Sequence, residues 1–371
     1  MTRGTHTSRD AAPVAAATLA ALPQITPHRL RRLLEHFGDP PGALEAVLAG
    51  HAARALRTAD RHAVELARTW RRAADPDAVA AELARRGTRV WIDGDHDFPF
   101  TRPVPDQPCV LFGEGDRADG LDSPRVAIVG TRSATPHGLA DAAEIGAFLA
   151  AAGATVVSGM AIGIDGAAHD GALDANGAAV GVVATGLDVE YPRRHKALYR
   201  RVRAQGVVVS EHWYGVRPDR ARFPVRNRII AALADVVVVV EATLTGGARI
   251  TAQEALRYDR PVLAMPGSRR NPSAAGCNEL IADGAHPLLD PSDVIVALEL
   301  AHGGTTNWRA PPPPPQSPTA RAVLRALAGE PATVDDLIVR TRLAPADAIN
   351  AVRDLEQSGS VRRQRGYVWP C

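Results

Sequence analysis

An unbroken apolar run at residues 126–129 ends at Gly130 and leads through a polar loop into an alanine-rich segment at residues 139–152. An apolar run without alternation is typical of a parallel strand covered on both faces, and the alanine-rich segment has helical composition. Gly153 supplies a stop signal for that helix, and a second apolar run at residues 155–157 ends at Ser158 and Gly159. Residues 126–158 therefore predict one β-α-β unit, whose two strand ends meet at the edge where open α/β sheets bind ligands.

The alternation of strand and helix continues along the chain. Further strand-forming runs lie at residues 179–183, 207–209, 236–240 and 262–264, with helical segments between them. Two shorter candidates precede the first unit, at residues 89–92 and 109–112. Strands that alternate with helices through right-handed crossovers predict an α/β fold with a doubly wound parallel sheet, which we expect to span residues 87–304.

The region before the sheet has a different pattern. Residues 1–16 predict a disordered tail, and residues 17–86 predict a small helical domain because leucines recur at spacings of three and four. Its segment LPQITPHRLRRLLEHFG resembles a helix-hairpin-helix motif, of the kind also found in SAM-like domains. The turn lacks the glycines that let backbone amides approach a phosphate, so we expect packing or interaction there and no DNA contact.

The region after the sheet begins with a break. Five consecutive prolines at residues 311–315 predict a stiff polyproline spacer within a linker at residues 305–318. Residues 319–327, 333–341 and 345–357 predict three helices, the second capped by Thr333, and residues 359–369 predict two strands around a basic turn. Three helices followed by a hairpin predict a winged-helix domain over residues 319–371.

The composition favours a globular intracellular protein. Of 371 residues, 46% are hydrophobic and 23% are charged, which is typical of folded domains. The three cysteines lie far apart without a CxxC spacing, which argues against a zinc site or a disulfide framework and favours a reducing compartment. The N-terminus lacks the apolar stretch of a signal peptide, and no window approaches 18 uncharged apolar residues. We therefore expect a cytoplasmic protein without a membrane span.

The common catalytic and cofactor motifs are absent from the sequence. It contains no GxxxxGK[ST], no GxSxG, and no GxGxxG after the first strand. Asp165 and His169 stand one helical turn apart, and we interpret Asp165 as a helix cap and His169 as a packed side chain rather than as metal ligands. We expect no cofactor and no metal.

Three predicted strand ends instead carry features that bind anions. Glycine turns let backbone N–H groups approach an anion, hydroxyl groups add donors, and helix N-termini add a favourable dipole. These residues are Gly130, Thr131 and Arg132 after the first strand, Ser158 and Gly159 after the second, and Thr245, Gly246 and Gly247 after the strand at residues 236–240.

Basic residues crowd two windows that could face the same edge, at residues 191–203 and 217–228. Lys196 lies in the first window, and Arg226 and Arg228 lie in the second. Each arginine taken singly fits a solvated surface salt bridge equally well. Together with the glycine turns, the two windows predict a slot for a phosphate chain.

The same residues carry a family resemblance. The runs VAIVGTRSATPHG, VVSGMAIGIDGAAHDGAL, VATGLDVEYPRRHKAL, VVVSEHWYG, FPVRNRIIAALADVVVVVEA, TGGARITAQEAL and PVLAMPGSRRNPSAAGCNELIADGA closely resemble the DNA-processing protein A family, also called Smf, and the upstream run FPFTRPVPDQPCVLFGEGD resembles its lead-in strands. Together they cover residues 98–285 in the same order. The resemblance implies a protein with an extended Rossmann-like fold and no nucleotide cofactor. It also implies that the protein is not an enzyme. It also implies a competence protein that binds and protects single-stranded DNA, forms a homodimer and loads the RecA recombinase in natural transformation.

The resemblance also suggests site residues. It maps a basic DNA pocket onto Arg132, Lys196, the turn of Ser158 and Gly159, and the pair Arg226 and Asn227. The chain departs from the family pattern at Ile162, where many relatives have arginine, at His195, where asparagine is common, and at Arg249 and Cys277. These departures concern affinity rather than the class of activity.

Two other functions remain open from the sequence alone. One is a nucleotide phosphoribohydrolase-like enzyme, since Gly246 and Gly247 with Glu254 faintly resemble such a site. The other is a transcription regulator whose winged helix reads duplex DNA through Arg362, Arg363 and Arg365. In the reading that we favour, the winged helix adds a duplex DNA or protein contact to a single-strand-binding sheet domain.

Overall fold

The computed structural model describes residues 8–56, 62–100, 102–117, 121–122, 124–303, 317–327, 331–357, 360–364 and 366–370. The chain divides into two compact units, Met1–Trp308 and Arg309–Cys371. The predicted polyproline spacer at residues 311–315 and Arg365 of the basic turn lie outside the described residues. The domain boundaries stay predictions.

Within the described part of the larger unit, nine strands form one sheet in the order β1-β2-β6-β5-β4-β3-β7-β8-β9. The strands are β1 Arg89–Ile92, β2 Val110–Glu114, β3 Arg125–Val129, β4 Thr155–Ser158, β5 Ala179–Val182, β6 Val207–Ser210, β7 Val236–Val239, β8 Val262–Ala264 and β9 His286–Pro287. Every pairing from β6 to β9 is parallel, and β1 and β2 are added antiparallel at one edge. The predicted doubly wound parallel sheet is confirmed.

Helices cover both faces of the sheet, and this explains the unbroken apolar runs. On one face Val126 and Ile128 pack in one cluster with residues of the helices α7 (Pro136–Ala151) and α8 (Ile164–Asp174). Ala127 and Val129 pack on the other face with residues of α10 (Arg222–Leu233) and α11 (Gly247–Arg257). Since both faces are buried, the strands show no alternation of polar and apolar residues. The helices that follow β3 are α7 Pro136–Ala151, α8 Ile164–Asp174, α9 Lys196–Gln205, α10 Arg222–Leu233, α11 Gly247–Arg257, α12 Ala275–Ala282 and α13 Ser292–Ala301.

The strand order reverses beside β3. β4 lies on one side of β3 and β7 on the other, because the chain returns from β6 across three strands before it forms β7. The helices that follow β3 and β7 therefore leave toward opposite faces, and a crevice opens between the two strand ends. Thr131 N donates to Glu241 O at 2.7 Å across this crevice, which ties the two strand-end loops together.

Within residues 8–56 and 62–88, six helices precede the sheet, and the first begins earlier than the sequence predicts. They are α1 Ser8–Ala20, α2 Pro27–Phe37, α3 Pro40–Leu48, α4 Ala53–Leu56, α5 Ala63–Ala73 and α6 Pro76–Arg86. The prediction of disorder is wrong for residues 8–16, and residues 1–7 lie outside the described residues. Ala15, Ala16, Ala17 and Leu19 are buried, and the small side chains of the three alanines let α1 pack closely on its neighbours. That burial, which local periodicity does not reveal, stabilises the helix.

These helices share one hydrophobic core with the sheet. Leu33 and Trp70 belong to the same buried cluster as Phe112 of β2 and Val208 of β6. At the boundary, the Arg86 guanidinium lies 4.2 Å from the centre of the Tyr214 ring, whose hydroxyl donates to Glu114 Oε1 at 2.8 Å. The N-terminal helices are therefore packed onto the sheet as part of one unit.

The C-terminal unit has the predicted winged-helix pattern, which is confirmed. Its elements are α14 Pro318–Leu327, β10 Ala332–Thr333, α15 Val334–Thr341, α16 Pro345–Gln357, β11 Val361–Gln364 and β12 Tyr367–Pro370, with the strands ordered β10-β12-β11. Thr333 caps α15 as predicted, since its hydroxyl accepts from Asp336 N at 3.1 Å and Asp336 Oδ2 accepts from Thr333 N at 3.1 Å. Among the described helices of the whole chain, none is long and apolar enough to cross a bilayer.

Candidate nucleic-acid interface

A groove of about 660 Å³ opens where the strand order reverses, at the carboxyl ends of β3 and β7. Its walls come from the turn after β3, the turn that begins α11, and one face of α10. Seven of the predicted residues line it: Gly130, Thr131, Arg132, Arg226, Asn227, Gly246 and Gly247. The structure therefore brings together loops that lie more than a hundred residues apart in sequence.

The glycines of these turns are required by close contacts. A Cβ on Gly130 would lie 2.4 Å from Ile164 Cγ1, so a larger residue would displace α8. Gly246 is the N-cap residue of α11 and provides no side-chain cap. The first backbone N–H groups of a helix have no intrahelical partner, so those of α11 can donate to an anion in the groove.

Three side chains in contact separate the groove from a smaller cavity and line both. The exposed Arg132 guanidinium lies 5.0 Å from the centre of the Phe223 ring, and the Phe223 and Tyr191 ring centres are 5.6 Å apart. We call Arg132, Phe223 and Tyr191 the aromatic ridge. The cavity beyond it, of about 100 Å³, is lined also by Gly159 and Arg194. A guanidinium held over an aromatic face presents positive charge and a flat apolar surface at one place.

Arg226 lines the groove, but its guanidinium stabilises the fold through hydrogen bonds to the main chain. The residue is only 4% exposed, and Nη1 donates to the main-chain oxygens of Gly159, at 2.7 Å, and of Val182. Burial lowers the pKa of Arg226 to about 10, and the nearby Asp165 partly offsets this. The guanidinium thus holds the turn after β4 in place rather than reaching into solvent.

Asp165 completes that arrangement and does not cap α8. Its Oδ2 accepts from Gly159 N at 3.1 Å and from Ala161 N at 3.3 Å, and the N-cap of α8 is Gly163. The predicted helix cap is therefore wrong, because the carboxylate folds back onto the preceding turn. Burial raises the pKa of Asp165, although Arg226 opposes this. A Cβ on Gly159 would lie within 3 Å of both side chains, which explains the glycine there.

Four predicted site residues do not line the groove or the smaller cavity. Ser158 is buried and its Oγ donates to Ile128 O at 2.6 Å, and Arg228 Nη2 donates to Glu211 Oε2 at 2.6 Å. Lys196 is exposed at the start of α9, and Thr245 is exposed in the loop before Gly246. The first two side chains stabilise the fold, while the latter two stay available at the edge.

His169 is a packed residue, as the sequence interpretation has it. It is fully buried, and burial lowers the pKa of the imidazole to about 4, so that the ring is neutral at neutral pH. Across the described residues, no three His, Cys, Asp or Glu side chains are placed to hold a metal ion together.

A larger cavity, of about 850 Å³, lies beside α13 at the amino ends of the strands, on the side of the sheet opposite to the groove. Asp235, Arg260 and His286 line it together with apolar residues of α13. These residues stand at the amino ends of β7, β8 and β9, where parallel sheets present no converging loops for a ligand. The groove at the carboxyl ends is therefore the better candidate despite its smaller volume.

Comparison with known proteins agrees with this geometry. Residues 89–299 match the family model described as DNA recombination-mediator protein A, and residues 309–367 match the DprA winged helix domain. The chain belongs to the DNA recombination-mediator protein A family. The predicted family is thereby confirmed.

Individual members of the family cover most of the chain. A Mycobacterium tuberculosis relative that carries the DprA name is 39% identical over 295 residues, which make up 75% of each protein. The X-ray structure of DNA processing protein A from Streptococcus pneumoniae is 30% identical, covers 76% of this chain and 96% of its own, and superposes with a TM-score of 0.64. A Helicobacter pylori DprA structure, reported for its single-stranded DNA binding mode, is 30% identical over 57% of this chain and 95% of its own, with a TM-score of 0.51.

In this family member the groove also contains residues that the sequence analysis did not select. Tyr191, Asp165, Arg220 and Phe223 line it beside the predicted set. Tyr191, Arg220 and Phe223 lie in the two predicted basic windows but are not among the predicted site residues, and Asp165 is predicted to be a helix cap. A signal was available in the segment FPVRNRII, since Phe223, Asn227 and Ile230 recur at helical spacing and share one face of α10.

The residue that suggested an enzyme lies elsewhere. Glu254 is two turns along α11, where Oε2 lies 3.4 Å from Arg257 Nη1, and it does not line the groove. Gly246 and Gly247 do line the groove. The structure thus separates the glycine turn from the glutamate that a phosphoribohydrolase-like site would require beside it.

Proposed function

We propose that this protein is a single-stranded DNA-binding recombination mediator that protects incoming DNA and loads RecA in natural transformation. The observation that supports the proposal best is the aromatic ridge, which stands between two cavities at the carboxyl edge of the sheet. The protein would hold the DNA by charge and by stacking, and it would catalyse no reaction on the DNA.

The ridge favours unpaired bases. Phe223 and Tyr191 offer faces on which a base can stack, and bases are free to stack on protein only when the strand is single. Every base has such a face, so binding should tolerate any sequence. The glycine turns and the N-terminus of α11 add donors for phosphates, which position a strand without reading its bases.

Exposed cations extend the surface on both sides of the ridge. Arg220 lines the groove and Arg194 lines the smaller cavity, and Lys196 follows Arg194 by two residues at the start of α9. A strand that crosses the ridge would therefore meet positive charge on each side. Affinity should fall steeply as salt rises, because each neutralised phosphate releases counterions.

Membership in this family supports single-stranded DNA and RecA as the proposed binding partners. The matching model is named for mediation of recombination, and the Helicobacter pylori relative is described for single-stranded DNA binding. We infer from this membership that RecA is the protein partner and that the DNA arrives by transformation.

The test is a binding and loading series. Anisotropy of labelled single strands of two compositions and of a matched duplex should show single-strand preference, little sequence preference and steep salt dependence. A variant that lacks residues 319–371 should keep single-strand binding, because the groove lies wholly in the larger unit. RecA assembly on strands coated with single-strand-binding protein should then speed up when this protein is added. Duplex preference, or loss of binding on deletion, would contradict the proposal.

The winged helix supports a duplex-reading regulator less well. Its helix α16 would be the one to enter a major groove, yet its exposed residues Asp347, Asp354 and Glu356 outnumber the single basic residue Arg353. Acidic side chains repel the phosphate backbone that provides most duplex affinity. We therefore assign the main DNA site to the sheet domain.

We propose that the homodimer forms at the β9 edge of the sheet. Leu289 after β9 is 78% exposed, and Leu300 of α13 is 75% exposed, so the segment that follows β9 presents two apolar side chains to solvent. The variant Leu289→Glu with Leu300→Glu should be monomeric in light-scattering chromatography at concentrations where the unmodified protein is dimeric.

Val64→Glu, at an exposed position on α5, is the control and should leave the dimer intact. A dimer that survives the double change would place the interface elsewhere.

A further inference from the structure

The loop between β8 and α12 carries two adjacent arginines that neither the sequence analysis nor the groove includes. Arg269 and Arg270 are exposed in this loop, at residues 265–274. β8 pairs in parallel with β7, so the loop leaves the sheet at the same carboxyl edge as the groove, one strand further along. The two arginines therefore continue the edge on which Arg132 and Arg194 already lie.

The loop is anchored to the groove wall. The Asn278 side chain both accepts from Gly267 N at 3.1 Å and donates to Gly267 O at 3.0 Å, which fixes the start of the loop. Gly276 N donates to Ala242 O at 2.7 Å, and a Cβ on Gly276 would lie 2.6 Å from Thr243 O. The end of the loop is thus held directly against the segment that leads into the groove.

An ion pair strengthens this attachment. Arg249 Nη1 lies 2.5 Å from Glu279 Oε2, which joins the first turn of α11 to α12. Since the N-terminus of α11 forms a wall of the groove, the loop and the groove keep a constant separation. A strand seated in the groove would meet the loop at a fixed place.

The charge of the two arginines is not compensated. Within the described part of the chain, neither guanidinium has a hydrogen-bond or ion-pair partner, and the loop itself contains no acid. Other arginines near the sheet are paired, as Arg201 is with Asp170 at 2.6 Å and Arg203 with Glu190 at 2.8 Å. Two unpaired guanidinium groups side by side suit adjacent phosphates, because each offers a planar fork of donors.

We propose that Arg269 and Arg270 form a second phosphate-binding point, which extends the bound single strand from the groove past β7 to β8. The proposal rests on the proposed function of the groove. Neighbouring strands lie about 4.8 Å apart, so the edge from β5 to β8 measures roughly 20 Å and can hold a chain of several nucleotides. A short oligonucleotide fills the groove without reaching the loop, and a longer one engages both.

The experiment compares strand lengths. Oligothymidylates of about 4, 8 and 16 nucleotides, within the range of known single-strand sites, are titrated against the full chain and against Arg269→Ala with Arg270→Ala. We expect equal affinity for the shortest strand and a loss of roughly three- to tenfold for the longest, with a salt slope lowered by about 1.4 for two phosphates. Arg71→Ala with Arg72→Ala, an adjacent exposed pair on α5, is the matched control and should change neither value.

The outcomes separate the two proposals. An unchanged affinity for the longest strand, or the same loss at every length, would overturn the second binding point while the groove assignment stands. Absence of binding by the unmodified protein at all three lengths would overturn the proposed function and this inference with it. A variant that binds strands normally but no longer loads RecA would overturn the DNA contact and assign the loop to a protein partner.

Discussion

Replacing Arg226 with alanine should lower the free energy of unfolding by about 3–5 kcal/mol, because it removes the donor of two buried main-chain oxygens and leaves the charge of the buried Asp165 uncompensated. The guanidinium donates to the main-chain oxygens of Gly159 and Val182, and it faces the buried Asp165. Without it, those acceptors lose their donor and the carboxylate keeps only two backbone N–H groups. Urea unfolding monitored by circular dichroism measures the change.

Two further variants give this prediction its controls. Arg222→Ala removes an arginine of the same helix that donates to Arg217 O at an exposed site, and it should change the unfolding free energy by less than about 0.5 kcal/mol. Adding Asp165→Asn to Arg226→Met should recover part of the loss, because no uncompensated charge then remains buried. If Arg226→Ala instead unfolds like the unmodified protein and loses strand affinity, Arg226 contacts DNA directly and the structural role is wrong.

Phe223→Ala and Arg132→Ala should each weaken single-strand binding by about 1–3 kcal/mol, but they should differ in salt dependence. Phe223 contributes a stacking surface, so its removal should leave the salt slope unchanged. Arg132 carries the charge held 5.0 Å from that ring centre, and its removal should lower the slope by about 0.7, the value for one phosphate of a single strand. Titrations at four or more salt concentrations separate the two effects.

The pair also predicts coupling, since each side chain positions the other. The double variant should lose less affinity than the sum of the single losses, as expected for groups in contact. Lys196→Ala serves as the comparison at the far end of the edge, where it should lower the salt slope but show no coupling with Phe223. Equal slopes for Phe223→Ala and Arg132→Ala, or full additivity, would contradict the ridge as a single binding element.

Much of the fold follows from local patterns. The runs at residues 126–129 and 236–240 predict strands buried on both faces, and β3 and β7 are such strands. Thr333 and Asp336 predict a capped helix by their spacing alone, and the capping box is present. Residues 8–16 of helix α1 are not predicted to be helical because their alanines carry no periodic signal, and only the burial of α1 against other helices reveals why this part forms.

The candidate site shows the limit of such patterns. The glycine turns at Gly130 and Gly246 were found because glycine after a strand is a local signal. Whether an arginine faces solvent or the protein interior depends on its neighbours in space, and so Arg226 and Arg228 were selected alongside Arg132 although both are engaged within the fold. The sequence places Phe223 in a basic window but does not reveal its contacts, because its partners, Arg132 and Tyr191, are distant in sequence.

By itself, then, the amino-acid sequence determined the class of fold, the strands and most helices, the family and the presence of anion-binding turns, because each depends on residues close together in the chain. Only the tertiary structure decided which turns meet, which arginines remain free and where the ridge stands. These depend on the return of the chain from β6 to β7, which reverses the strand order beside β3 and opens the crevice there. A long-range pairing of this kind leaves no mark on neighbouring residues, because it results from the packing of the whole sheet.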